Sequence, residues 1–367
     1  MLPFPFAGIL PHNAHVSAVA AAPVVAPSST IGVGAIVLDA VITNDVDALR
    51  TLLQAFPAHA NAVDDDGITV LMVAAQRGRV EIIEILCRAH ASVNAQSQDG
   101  MSAFMFAAAN DQVDAMETLL DYGPEVEATT AAGNNALTIA AERNQMSAAV
   151  FLLELNMPVN AANHEGDTAM HLAAHNDHPD MMDILLQFGA NINQTNHQGR
   201  TAAMHAAAND CARALSWLAA ERADLDVQDA DGLTALRHAV NNDHDLVAYL
   251  LLIAHVDPNI ADHHGHTPIM RATRQGNLHT LENLTQYRAD VNASDAAGRT
   301  ALIIAAENGN LPIVRRLVAA GANLNAILDR SHQSAMDLAR RNGHTAVSLF
   351  LKRVGATESA SKPSDRD

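Results

Sequence analysis

Residues 298–326 read GRTALIIAAENGNLPIVRRLVAAGANLNA, and the stretch resolves into two short helices joined by a tight turn. Thr300 stands where a hydroxyl can cap the first helix by accepting from an orphan amide. Asn308-Gly309 ends that helix, because the residue after it must turn left-handed. Pro312 falls in the first turn of the second helix, where a missing amide costs nothing. Gly321 ends the second helix. One such unit leaves an apolar face open, so it needs a neighbour on each side.

The neighbours are present in the sequence. Glycines fall at 34, 67, 100, 133, 166, 199, 232, 265 and 298, each 33 residues after the last, and His332 takes the place in a tenth unit after one inserted residue. Seven positions on stand Val41 and then Ala74, Ala107, Ala140, Ala173, Ala206, Ala239, Ala272, Ala305 and Ala339. Nineteen positions on, a leucine stands in every unit from Leu53 to Leu351. The alanine lets two helices approach closely, and the leucine fills the joint between units. At the first stop, Asn110-Asp111, Asn176-Asp177 and Asn242-Asp243 replace Asn-Gly, with residues that tolerate the left-handed conformation. At the second stop His90, Asn156, Arg222, His255 and Arg288 replace glycine, each at a local cost of up to about 1 kcal/mol.

The chain resembles the ankyrin-repeat family from residue 34 to 356. The opening motif is carried by Gly265-His-Thr267-Pro268-Ile-Met-Arg-Ala272 and Gly166-Asp-Thr168-Ala-Met-His171-Leu-Ala173. The closing motif is carried by Gly189-Ala-Asn-Ile-Asn193 and Gly321-Ala-Asn-Leu-Asn325. Only the fifth unit keeps the motif histidine and only the eighth its proline. The resemblance implies an all-α fold, an α-solenoid of about ten stacked helix-turn-helix repeats with short β-turn fingers. The first unit and the last act as caps; Arg340, Arg341, Lys352 and Arg353 give the last a polar outer face. Residues 1–33 read as an apolar, proline-rich leader, and 357–367 as a short polar tail.

Composition narrows the function. A net charge of −19 argues against nucleic acid and anionic membranes, and no apolar run reaches the roughly 20 residues of a membrane span. Cys87 and Cys211 lie far apart, with no zinc-finger or CxxC spacing, and read as reduced packing residues. GxSxG, P-loop and HExxH motifs are absent, so no catalytic residue or cofactor is expected. His171, His175 and His178 share one helical face, which would suit a metal. Against this, His171 holds the motif position and His178 falls past the helix stop. His263, His264 and His266 look like another ligand cluster, but they surround the eighth glycine of the period and are one unit's variable fingertip. No metal site is expected from either group.

In the family, partners are gripped by the fingertips and the inner face of the first helices. Carried onto this chain, those places are His164, Glu165, His175, Asn176, His197, Arg200, Asn209, Asn242, His263, His264, His266 and Arg274. Early units offer Asp65, Asp66, Gln76 and Arg77 instead. The column six residues after each glycine adds a polar stripe: Val73, Phe106, Ile139, Leu172 and Ile304 are apolar, whereas His205, His238 and Arg271 are not. The expected function is a non-catalytic scaffold, monomeric and cytoplasmic, that binds a protein partner through the concave groove. The alternative is a microbial effector secreted into a host cell. That reading is motivated by the uncharged leader and by the scarcity of lysine, with only Lys352 and Lys362 present.

Overall fold

The computed structural model describes residues 33–328 and 332–357. Among them are twenty helices, numbered α1 (Val33–Thr43) to α20 (Thr345–Arg353), stacked as consecutive pairs. A short 3-10 turn, Pro57–Asn61, follows the first pair. Successive pairs join through fingers that form isolated antiparallel bridges, such as Val63 with Thr69 and Ser294 with Thr300. The leader up to residue 32 and the tail from 358 lie outside the described residues.

The pair α17 (Ala301–Glu307) and α18 (Leu311–Ala319) shows why each unit folds. The Thr300 side chain accepts from the Ile303 amide, and Gly309 turns left-handed at φ 72°. The same cap is made by Ser102, Asn135, Thr201 and Thr234. In the fifth unit His171 completes it reciprocally, its Nδ1 accepting from the Thr168 amide. The non-glycine stops behave as their positions require: His90, Asn156, Arg222, His255 and Arg288 all take positive φ, between 60° and 67°.

The repeated alanines and leucines are the centre of one continuous core. Ala74, Ala140, Ala206 and Ala305 are fully buried, as are Leu86, Leu152, Leu218 and Leu317. Cys87 and Cys211 are free and buried, and burial pushes the Cys211 thiol up to about 12.

Two expectations need correction. Gly34 keeps the 33-residue spacing but does not turn left-handed as the later glycines of the period do: it lies inside α1. The last pair is not wholly polar outside, since Leu349 is 62% exposed beside the charged Lys352 and Arg353.

Polar ladders reinforce the stack. Three residues before each glycine, the side chains of Asp64, Asn163, Asn196, Asp229, Asp262 and Asp295 accept two amides of their own finger. A second ladder runs between pairs. Asn61, Asn94, Asn160, Asn193, Asn259 and Asn292 each accept the amide 31 residues further on. Neighbouring fingers are also tied by single backbone bonds, as from the His164 amide to Ala132 and the His197 amide to Glu165.

Candidate partner-binding groove

The fingers and the first helices of successive pairs line a concave face whose chemistry changes along its length. At the second to fourth pairs it holds a concavity of about 610 Å³. Its apolar floor is Ile68, Met101, Phe106 and Ile139, and its rim carries Asp66, Asp99, Gln98, Glu142 and Arg143. Sequence reasoning placed the site further along and passed over this pocket. The signal was available in the apolar entries six residues after each glycine, and in Ile68 and Met101 one residue after.

Beyond the pocket the floor turns polar. The relevant first helices are α9 (Ala169–His175), α11 (Ala202–Ala208), α13 (Ala235–Asn241) and α15 (Pro268–Gln275). On α11, His205 Nε2 lies 3.3 Å from Asp167 Oδ1, and the His205 ring stands 5.3 Å from that of His171 and 6.0 Å from that of His175. Burial alone would raise the Asp167 carboxyl. The His205 bond and charge, the Asn196 amide and the charge of His171 outweigh it and bring the group down to about 2. Burial first, and the nearby His205 second, hold His171 and His175 below the ordinary imidazole value.

His238 is a buried member of the same column. Its Nε2 donates to Asp229 at 2.8 Å, and burial holds the ring below its ordinary value despite that carboxylate. A neutral imidazole protonated on Nε2 satisfies both observations. Arg237, also buried, bonds Asp262 at 3.2 Å, the His266 carbonyl at 2.7 Å and Asn241 at 3.2 Å. His266 reaches two carboxylates, Asp262 at 3.3 Å and Asp295 at 3.6 Å.

The predicted contact residues therefore divide. Glu165, His175, Asn209, Asn242, His264 and Arg274 are exposed. His164, His197 and His263 are exposed too, but each ring packs on the glycine of the preceding finger. A Cβ on Gly133, Gly166 or Gly232 would lie 2.6, 2.9 or 2.8 Å from the respective ring. Asn176 is half-buried and bonds the Leu172 carbonyl of its own helix. Arg200, His205, His266 and Arg271 are half-buried. His238 is a correction: at 6% exposure, and held by Asp229, it presents no contact surface as the fold stands.

The carboxylates that organise this network were missed, namely Asp167, Asp229, Asp262 and Asp295, together with Arg237. Three of the four lie in the column three residues before each glycine, so a reading of that column beside the histidine column would have found them. As for metal, His171 engages both nitrogens within the protein, Nδ1 at Thr168 and Nε2 at the Arg200 carbonyl. Among the described residues no group of three or more His, Cys, Asp or Glu side chains is arranged to hold an ion.

A family model described as ankyrin repeats, in three copies, matches the chain over residues 37–130, 125–196, 176–262, 203–295 and 269–360. The chain belongs to the ankyrin-repeat family. Among solved structures, the ankyrin repeat domain of Bcl-3, titled a unique member of the IkappaB protein family, is 29% identical. The alignment covers 60% of this chain and 99% of that one, with a TM-score of 0.55. No curated protein sequence matches the chain. Some 544 solved chains match the fold, which is too widely shared to name a function by itself. Ankyrin repeats generally mediate protein–protein interaction, and among the described residues no helix is long and apolar enough to cross a membrane.

Proposed function

We propose that this ankyrin-repeat chain is a non-catalytic adaptor, monomeric and cytoplasmic, whose concave groove holds a protein partner. Each of the ten helix pairs is read as one repeat. The observation that carries the proposal is the pocket of the second to fourth pairs, where half-buried Ile68, Met101 and Phe106 form an open apolar floor. Exposed apolar surface set in a polar rim is the usual anchor of an interface. A standard interface buries about 1,600 Å², which several adjacent repeats can supply.

The test is comparative affinity capture with mass spectrometry. Wild-type chain is run beside an Ile68→Glu, Met101→Glu variant and a variant with His175, Asn209, Asn242 and Arg274 replaced by alanine. Partners recovered by wild type and lost by the pocket variant support the reading. Identical recovery by all three refutes the groove as the binding face. The alternative of a translocated effector rests on the leader and on lysine scarcity, and nothing in the described fold adds to it.

A further inference from the structure

The carboxylate column is interrupted at the last finger. Asp229, Asp262 and Asp295 each stand three residues before a glycine. In the tenth unit the same backbone place is held by Leu328, whose amide donates to the Gln333 carbonyl as the Asp295 amide does to that of Arg299; residues 329–331 that follow lie outside the described residues. One residue after each glycine, Arg200 and His266 each approach the carboxylate of the next finger, at 3.7 Å from Asp229 and 3.6 Å from Asp295. Arg299 holds the same column one unit later, and the matching residue there is Leu328, which offers no charge.

Arg271 is stranded in a different way. It stands in the column where His238 bonds the Asp229 carboxylate nine residues before it. The corresponding carboxylate for Arg271 is Asp262, whose Oδ2 is already taken by Arg237 at 3.2 Å and His266 at 3.3 Å. Among the described residues Arg271 has no ion-pair partner, and its Nε is sequestered from solvent without a hydrogen-bond partner. Arg274 is three residues further along α15, so it lies on the same helix face; it is exposed and likewise has no ion-pair partner among the described residues. Burial, together with the charges of Arg271 and Arg274, presses the Arg237 guanidinium below its ordinary value against the pull of Asp262. That places three guanidiniums in one electrostatic neighbourhood. Among the described residues no carboxylate forms an ion pair with Arg271, Arg274 or Arg299; those on the adjoining fingers and on α17 are Asp231, Asp262, Asp295 and Glu307.

We propose that the eighth and ninth repeats bind an acidic peptide segment, whose carboxylates are taken by Arg271, Arg274 and Arg299. The planar fork of a guanidinium suits carboxylate bidentately, and a half-buried one gains more from the pairing than one in bulk water. The chain as a whole, at net −19, repels such a peptide, so binding is confined to this end of the groove. The inference rests on the groove being the binding face and names the chemistry its C-terminal end accepts.

The probe is a short fluorescein-labelled oligo-glutamate peptide, with the matched oligo-glutamine peptide as control, titrated with the full chain and read by anisotropy. The glutamate peptide is expected to bind saturably and the glutamine peptide not at all. Arg271→Gln and Arg299→Gln should each weaken binding about tenfold, as loss of one charge-assisted bond implies, and added salt should weaken it further. Arg50→Gln, at the opposite end and paired with Glu81, should change nothing. Circular dichroism checks that each variant is folded. If Arg271→Gln is not, Arg299→Gln on its finger carries the test. No saturable binding, equal binding of the glutamine peptide, or undiminished binding by folded Arg299→Gln overturns the proposal. Such a failure alongside pocket-dependent partner capture removes the arginine site and leaves the adaptor reading standing.

Discussion

Asp226 occupies a place that asparagine holds in most other repeats, and its replacement by asparagine should stabilise the chain. In the ladder between repeats, Asn259 accepts the Asp290 amide at 2.7 Å, and Asn292 accepts the Asn323 amide at 2.6 Å. The same two side chains donate to the carbonyls of Arg288 and Gly321, at 3.5 and 3.2 Å. Asp226 accepts the Asp257 amide at 3.1 and 3.2 Å, but an ionised carboxylate has no hydrogen for the matching carbonyl of His255. Burial first, then the charges of Asp257 and Asp224, raise its pKa, with the Asp257 amide opposing. Asp226→Asn keeps the acceptor, adds the donor and removes the charge. One net hydrogen bond contributes about 1 kcal/mol. The pH dependence has a definite sign. A carboxyl raised in the folded state binds its proton more tightly there, so ionisation destabilises the fold above the folded pKa. The penalty fades as pH falls to the unfolded value of about 3.9. Urea unfolding should therefore show the asparagine variant ahead at pH 7 by an increased midpoint at unchanged slope, with the gap narrowing toward about pH 4. A variant no more stable at pH 7, or one whose advantage is the same at both pH values, would refute the ladder argument.

Gly166→Ala should cost about 1 kcal/mol or more from the left-handed backbone alone. Beyond that, its Cβ would meet the His197 amide nitrogen at 2.6 Å, so it should destabilise more than Gly189→Ala, which has open space around it; thermal denaturation of the pair decides. Asn292→Ala removes both ladder bonds and should cost about 1–3 kcal/mol, with faster hydrogen exchange at the Asn323 amide as the local signature. His171, His175 and His238 are lowered chiefly by burial, so the unfolded chain takes up protons first. Stability should fall as pH drops below about 6.5, and NMR titration should find all three rings protonating at lower pH in the folded chain than in the urea-unfolded one. Rings that titrate alike in both states would contradict the assignment.

The fold was legible because its determinants repeat. A left-handed residue at each fingertip, a small residue between paired helices and a leucine at each joint all recur at 33 residues, so chance substitutions such as Arg222 or His255 could not hide them. The backbone then imposes φ near 60° on those residues regardless of their preference. Gly34 shows the limit of counting: it keeps the spacing but is helical, a place within α1 that spacing alone does not distinguish. The groove was less legible because its residues are the ones that vary. His205, His238 and Arg271 were recognised as a polar interruption of an apolar column, yet which of them remains accessible depends on carboxylates of their own and the preceding unit.

That dependence explains why identical column positions have different roles. His238 is held by Asp229 from its own finger, and His205 by Asp167 from the finger of the preceding unit. Arg271 finds its carboxylate already engaged by Arg237 and His266. Arg299 finds a leucine in the matching place. The repeat supplies a fixed number of carboxylate positions, and local substitutions decide how many cations compete for each. Where supply exceeds demand the side chain becomes part of the frame; where demand exceeds supply the charge is left facing the groove. Restoring the balance should therefore close the arginine site. Leu328→Asp places a carboxylate in the column that Arg200 and His266 use in earlier repeats. It should weaken oligo-glutamate binding as Arg299→Gln does, while leaving every arginine in place. Undiminished binding by folded Leu328→Asp would show that Arg299 does not follow the column rule.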